Sequence, residues 1–251
     1  MNARAARRVV AALLFAALAA SPVHAQKRPR SDRFWVSVSA GVQTAAPRFD
    51  DEFDLTLYTE KEHITADYPN KSGLLIAASG GYRLWKRLSI GLGVTHASAR
   101  GNAKVTAALP HPLLDNTFRT VEGTARTSRN ETGAHLMFGM MLPLSKKMRL
   151  LLNAGPSVLG VQQAIVTEVT FSETYPYDSA IFTGVKTNRG SRAAAGFNSS
   201  ADVFWLFSKN AGAGALVQFT RASVRANAGA GRSVTFDAGG VQAGAGLRFT
   251  F

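Results

Sequence analysis

The chain has no cysteine, which excludes a disulfide framework and thiolate-held zinc. Acidic residues are scarce: 16 Asp and Glu stand against 29 Lys and Arg, a net charge of +13. An excess of this size points to an anionic partner. No basic helix, zinc-ligand set or basic–aromatic RNA motif accompanies it, so nucleic acid is not the expected partner and anionic lipid is. Long hydrophobic runs are missing too. The longest charge-free stretch after the first 25 residues, Leu150 to Thr167, contains Asn153, Gly155, Pro156, Gly160, Gln162 and Gln163. That is a poor helix composition, so no helical membrane span of about 20 residues is expected there. Mean hydropathy is near zero, as it is for a chain that alternates apolar and polar residues.

The first 25 residues differ from the rest. Arg4, Arg7 and Arg8 precede an apolar run from Val9 to Ala20, and Val23-His24-Ala25 closes it with small residues. This is the pattern of a secretory signal peptide, with cleavage expected between Ala25 and Gln26. The organisation that follows is a signal peptide over 1–25, a periplasmic segment over 26–32 and one domain over 33–251.

That domain reads with a period of two, the signature of strands with one apolar and one polar face. Phe34, Val36, Val38, Ala40 and Val42 alternate with Trp35, Ser37, Ser39, Gly41 and Gln43. The same pattern recurs around Leu74–Leu84, Leu88–Val94, Ala134–Leu142, Leu150–Val158, Phe197–Phe207, Ala213–Phe219 and Val241–Phe251. Short basic turns lie near Lys86, Lys146 and Lys209, while long polar stretches cover 45–70, 100–130, 164–192 and 222–235. Short turns on one side and long loops on the other fit an antiparallel up-and-down transmembrane β-barrel, with the turns periplasmic and the loops outside. Four hairpins give eight strands. Phe53, Leu55 and Leu57 in the first loop leave ten as the alternative.

The apolar faces carry Leu, Val, Phe and Trp, which suits lipid, and the opposite faces are small and polar. An eight-stranded barrel is just wide enough to be filled by side chains. The interior is therefore expected to hold Arg83, His135, Asn153, Asp202, Gln218 and Arg248 beside glycine, serine and threonine. At the C-terminus, Phe251, Phe249 and Gly246, with Leu247 on the apolar face, resemble the assembly signal of bacterial outer-membrane barrels. With the leader and the turn rhythm, the chain resembles small outer-membrane barrels of the OmpA, OmpX and OmpW type. The resemblance implies an outer-membrane location, the barrel assembly machinery as a partner, and outer-membrane lipid and lipopolysaccharide as surroundings. A monomer is expected.

The candidate chemistry is thin. His96 and Ser98 share a strand face, and the pair resembles the His-x-Ser of outer-membrane lipid A deacylases. A serine nucleophile also needs an acid to orient its histidine, and none is placed by the sequence. Asp50, Asp51, Glu52, Asp54, Glu60, Glu62 and Asp67 crowd the first loop. Leu55 and Lys61 stand where a calcium loop needs glycine and glutamate, so a solvated loop is expected instead. His63, His111 and His135 have no ligand spacing. No metal or cofactor is expected. Arg100, Arg119, Arg126, Arg129, Arg221 and Arg225 lie at loop edges, placed either to pair with lipid phosphates or simply to solubilise. The function expected is a non-enzymatic structural or surface-interaction barrel. The alternatives are a narrow channel for small apolar solutes, which the OmpW resemblance implies, and a lipid-modifying enzyme.

Overall fold

The computed structural model describes residues 33–44, 48–69, 72–229 and 231–251. The leader, its cleavage site at Ala25 and Gln26, and nearly all of the segment before the barrel lie outside them. Among the described residues there are ten strands: β1 (Phe34–Thr44), β2 (Phe49–Leu57), β3 (Glu60–Tyr68), β4 (Gly73–Trp85), β5 (Leu88–Pro110), β6 (Phe118–Pro143), β7 (Met148–Glu173), β8 (Ala180–Leu206), β9 (Ala211–Gly229) and β10 (Arg232–Thr250). Eight of them form a closed antiparallel ring in the order β1-β4-β5-β6-β7-β8-β9-β10, with β10 returning to β1. The other two, β2 and β3, form a hairpin inserted between β1 and β4, and β3 pairs with the far part of β5 from His63↔Ala108 to Asp67↔Lys104. Eight strands therefore close the barrel, and the extra pair suggested by Phe53, Leu55 and Leu57 stands outside the ring.

The C-terminal strand makes the closure. β10 pairs with β1 from Trp35↔Thr250 to Thr44↔Val241. A Cβ at Gly246 would lie 1.9 Å from the Val38 carbonyl oxygen, so this contact admits only glycine. The tight turns fall where the basic triplets predict, and two of them use one device. Ser145 Oγ accepts from the backbone N–H groups of Lys147 and Met148, and Ser208 Oγ from those of Asn210 and Ala211. A hydroxyl in this position mimics a backbone acceptor and fixes the turn.

The long polar stretches are not loops. β5 to β8 run for 23, 26, 26 and 27 residues, against about 9–11 for a strand that only spans a membrane. Their richness in charge makes these stretches resemble loops in the sequence, yet they also alternate, with the opposite sense. Ala103, Val105, Ala107 and Leu109 point inward and are fully buried, while Asn102, Lys104 and Thr106 are exposed. Each long strand thus has two parts. In the part nearer the tight turns the outward face is apolar and the inward face polar; farther along, the sense reverses.

The far part is a head with its own apolar core. Phe53, Ile64, Val105, Leu109, Val121, Val166 and Val169 form one cluster, and Leu159, Val161, Ile165, Val224, Val234 and Phe236 another. Here the ring divides. Pairing of β6 with β7 ends at Arg129↔Gln163, of β8 with β9 at Gly196↔Ala222, and of β1 with β10 at Thr44↔Val241. The head is therefore three pieces joined through side chains: the sheet β2-β3-β5-β6 and the hairpins β7–β8 and β9–β10.

Candidate functional site

From the tight-turn end upward, the lumen is filled in layers. Trp35, Met137, Met141, Leu151, Phe204 and Leu206 form a small apolar layer. Within the polar lumen, Arg248 and Asp202 pair bidentately at 2.6 and 3.0 Å, and Arg248 also donates to the Val38 and Leu247 carbonyls. Arg248 is 1 % exposed, and a guanidinium so deep is tolerable only because paired acceptors replace its water. His135 is clamped between Thr95 Oγ1 at 2.9 Å and Ser157 Oγ at 2.8 Å. Asn153 and Gln218 are buried in the same lumen. Arg83 is not. It is only partly buried near the tight-turn end, because it sits next to the last residues of β4, where the strand leaves the packed section.

One lumen residue repairs a backbone fault. Pro156 lies within β7 and brings no N–H, and β6 skips its pairing there between His135↔Ser157 and Phe138↔Ala154. A proline inside a sheet leaves an acceptor on the neighbouring strand unserved. The Asn198 side chain fills in, with Nδ2 placed 2.9 to 3.3 Å from the carbonyls of Leu136, Gly155 and Pro156 and from Ser157 Oγ.

Where the faces reverse, a polar network forms a neck. Glu131 accepts from Arg129 Nε at 2.5 Å, Gln43 Nε2 at 3.0 Å and the Gly239 N–H at 3.0 Å. Gln43 also receives Gln242 Nε2 at 3.2 Å, and Arg129 donates to the Asp237 carbonyl at 2.7 Å. Gly239 holds φ at +93°, a conformation that side-chain-bearing residues rarely adopt. Sequence reasoning missed this network. Its available signal was Arg129 and Glu131, opposite charges two apart on one strand face.

The acidic first loop is the β2–β3 hairpin, and the expectation of a wholly solvated loop fails for Asp51 and Glu62. Asp51 turns inward and pairs with Arg232 at 2.6 and 2.7 Å, and that guanidinium lies 3.8 Å from the Phe53 ring centre. This ties β2 to β10 across a gap without backbone pairing. Tyr68 Oη accepts the Val166 N–H at 2.7 Å and ties β3 to β7. Glu62 is buried with no hydrogen bond to one carboxylate oxygen. Burial, aided by the charge of Glu168, pushes its carboxyl up to about 7. At the tip, Arg119 pairs with Glu173 at 2.5 Å, and Tyr58 Oη also donates to Glu173. Burial alone would push the Glu173 carboxyl up; the bonds from Tyr58 and Arg119 outweigh it and hold the carboxyl below its usual range. Around this tie Leu113, Leu114, Phe118, Tyr175 and Ile181 are exposed.

Two further sequence expectations are altered. Arg119 and Arg129 are buried and committed to Glu173 and Glu131, and Arg221 pairs with Asp237. Of the loop-edge arginines, these three already have carboxylates. His96 and Ser98 do share the outward face, but His96 bonds Thr132 at 3.0 Å and Ser98 donates to Asn130 at 2.8 Å. Neither bonds a carboxylate among the described residues.

The outward face of the lower barrel decides its solvent. Leu74, Ile76, Leu92, Phe138, Val158, Val217 and Leu247 stand exposed over strands from around the ring, Leu74 at 76 % and Leu92 at 67 %. A continuous apolar girdle around a polar, filled lumen is the reverse of a water-soluble barrel. The chain is a transmembrane β-barrel. No protein-family model and no curated protein matches it. Among solved structures, this barrel is similar to Neisserial surface protein A, at 11 % identity and TM-score 0.47 over 88 % of this chain and 98 % of that one. It is also similar to the outer membrane protein OprG from Pseudomonas aeruginosa, at 12 % and 0.47 over 87 % and 96 %. The outer membrane protease OmpT from Escherichia coli matches at 13 % and 0.45 over 88 % and 97 %. At such distance these likenesses carry no argument about function, and the barrel assignment rests on the ring and its girdle.

Proposed function

We propose that the protein is a non-conducting, non-enzymatic barrel of the bacterial outer membrane, with the tight turns in the periplasm and the head outside the cell as a surface-interaction module. The observation that carries this reading is the packed lumen. The space among Trp35, Thr95, His135, Asn153, Asp202 and Gln218 is about 20 Å³, no more than a water molecule needs. The apolar layer lies near it, the neck above, and the apolar head core above that. A solute crossing this column would have to break the Arg248–Asp202 pair and the Glu131 network. The head supports the interaction half of the reading, since its tip is cross-tied by Arg119, Glu173 and Tyr58 and displays large apolar side chains. The test is electrical. Purified protein in planar bilayers should give no unitary current steps; a steady single-channel conductance would overturn the reading in favour of a channel.

A further inference from the structure

We infer that the fork where β6 leaves β7 is a binding site for the phosphate groups of a lipid headgroup. This rests on the membrane orientation proposed above. At the fork lies an open cleft of about 530 Å³ lined by Arg100, Asn102, Arg126, Ser128, Thr187 and Arg189, with Ala164 in its wall. Arg100 lies opposite Ser128 and Asn102 opposite Arg126 across the β5–β6 ladder, so the two arginines are diagonal neighbours. Arg189 comes from β8, opposite Ala164. The three guanidiniums thus come from three strands to one opening, with hydroxyl and amide side chains beside them, Asn102, Ser128 and Thr187 among these.

The cleft differs from the arginine sites buried or tied within this molecule. Arg119, Arg129, Arg221, Arg232 and Arg248 each hold a carboxylate. Arg100, Arg126 and Arg189 are exposed and have neither ion pair nor hydrogen bond among the described residues, and no carboxylate lines their cleft. Gathering three like charges is unfavourable unless an anion answers them. Planar guanidiniums with nearby hydroxyls suit phosphate oxygens, which accept several charge-assisted bonds at once.

Position selects the lipid as the source of the phosphate. The cleft opens on the face that carries the apolar girdle. On β8 the girdle runs up through Phe197, Ala195 and Ala193, and Arg189 follows after Ser191. Four residues of tilted strand raise Arg189 by about 10 Å, which places it at headgroup level. On β5 and β6 the step is made by His96, Ser98, Thr132 and Asn130, whose paired side chains form a polar rim between girdle and cleft.

The test uses full-length mature protein folded into phosphatidylcholine vesicles, with and without bis-phosphorylated lipid A. The readout is the rate of heat unfolding, followed by loss of the compact form on gels. Lipid A should slow unfolding of the unaltered protein, and the R100Q/R126Q/R189Q variant should lose at least nine-tenths of that effect. The K86Q/R87Q variant, which removes charge at the opposite end, should keep it. Equal protection of the triple variant overturns the site, and so does equal loss in K86Q/R87Q, which would mark general attraction. Protection by inorganic phosphate alone, in plain phosphatidylcholine, would show a soluble-anion site and overturn the lipid assignment. Failure of the unaltered protein to fold into plain vesicles would instead strike the barrel reading itself.

Discussion

Arg248 shows what one residue does at the centre of this barrel. Its guanidinium and the Asp202 carboxylate are both almost wholly buried and satisfy each other. Removing one partner leaves the other charge stranded, at a cost of about 3–5 kcal/mol, whereas replacing both with apolar residues is often close to neutral. Arg248→Met should therefore lower stability by that amount in urea unfolding from vesicles, and R248M/D202L should recover most of it. Equal losses in the single and double variants would mean that the pair is not the source. The girdle gives the complementary test. Leu92 is exposed, so Leu92→Lys would change stability by less than about 0.5 kcal/mol if water lay outside. Against lipid it should cost about 2–4 kcal/mol in the same unfolding assay.

The β2–β3 hairpin is held by side chains more than by backbone. It pairs with β5 over five positions and otherwise depends on Asp51–Arg232 and the burial of Phe53, Ile64 and Tyr68. Glu62 works against it. Its ordinary value is 4.5 and its folded value about 7, so the folded state binds the extra proton. Stability should then be highest below pH 4.5, fall as pH rises toward about 7, and stay reduced above that. Glu62→Gln should flatten this decline and slow amide exchange in residues 49–68 at pH 8. An unchanged pH profile in the variant would assign the decline to other groups. The same hairpin marks what the sequence left hidden. The periods of β1 and of the lower halves of β4 to β10 were legible because lipid on one side and a small lumen on the other impose sharp alternation. In the upper halves alternation persists, but Ala103, Ala107, Ala226 and Ala228 are small enough to pass for loop residues beside Lys104, Arg126 and Arg225. The lumen residues His135, Asn153, Asp202, Gln218 and Arg248 could be placed by parity alone. The partners of Arg129, Arg232 and Asn198 could not, because they depend on which strands meet across the lumen and head.

At the scale of the molecule, continuous strand in the head alters what a protease can reach. The sequence suggests tryptic sites at Lys61, Lys104, Arg126 and Lys186, but all four lie within strands. The turns 111–117 and 174–179 contain no lysine or arginine. Intact cells displaying the protein should therefore resist trypsin at these four positions, while chymotrypsin should cut near Leu113, Leu114 or Tyr177. Rapid tryptic cleavage at Lys86, Lys146 or Lys209 on intact cells would invert the proposed orientation.

The reversal of faces at the Gln43–Glu131–Arg129 level also works as a depth gauge. Below it every strand of the ring is written for hydrocarbon outside; above it, β5 to β10 are written for water outside. If the barrel sank by two residues of tilted strand, about 5 Å, Ser98 and Asn130 would enter hydrocarbon and Arg100 and Arg126 would follow them toward it. If it rose as far, the upper rim of the girdle would be lifted into water and the tight turns at Lys86, Lys146 and Lys209 would be drawn toward hydrocarbon. Either displacement is opposed on several strands around the ring at once. The protein is thus matched to one hydrophobic thickness, and a thicker or thinner bilayer has to deform around it rather than shift it.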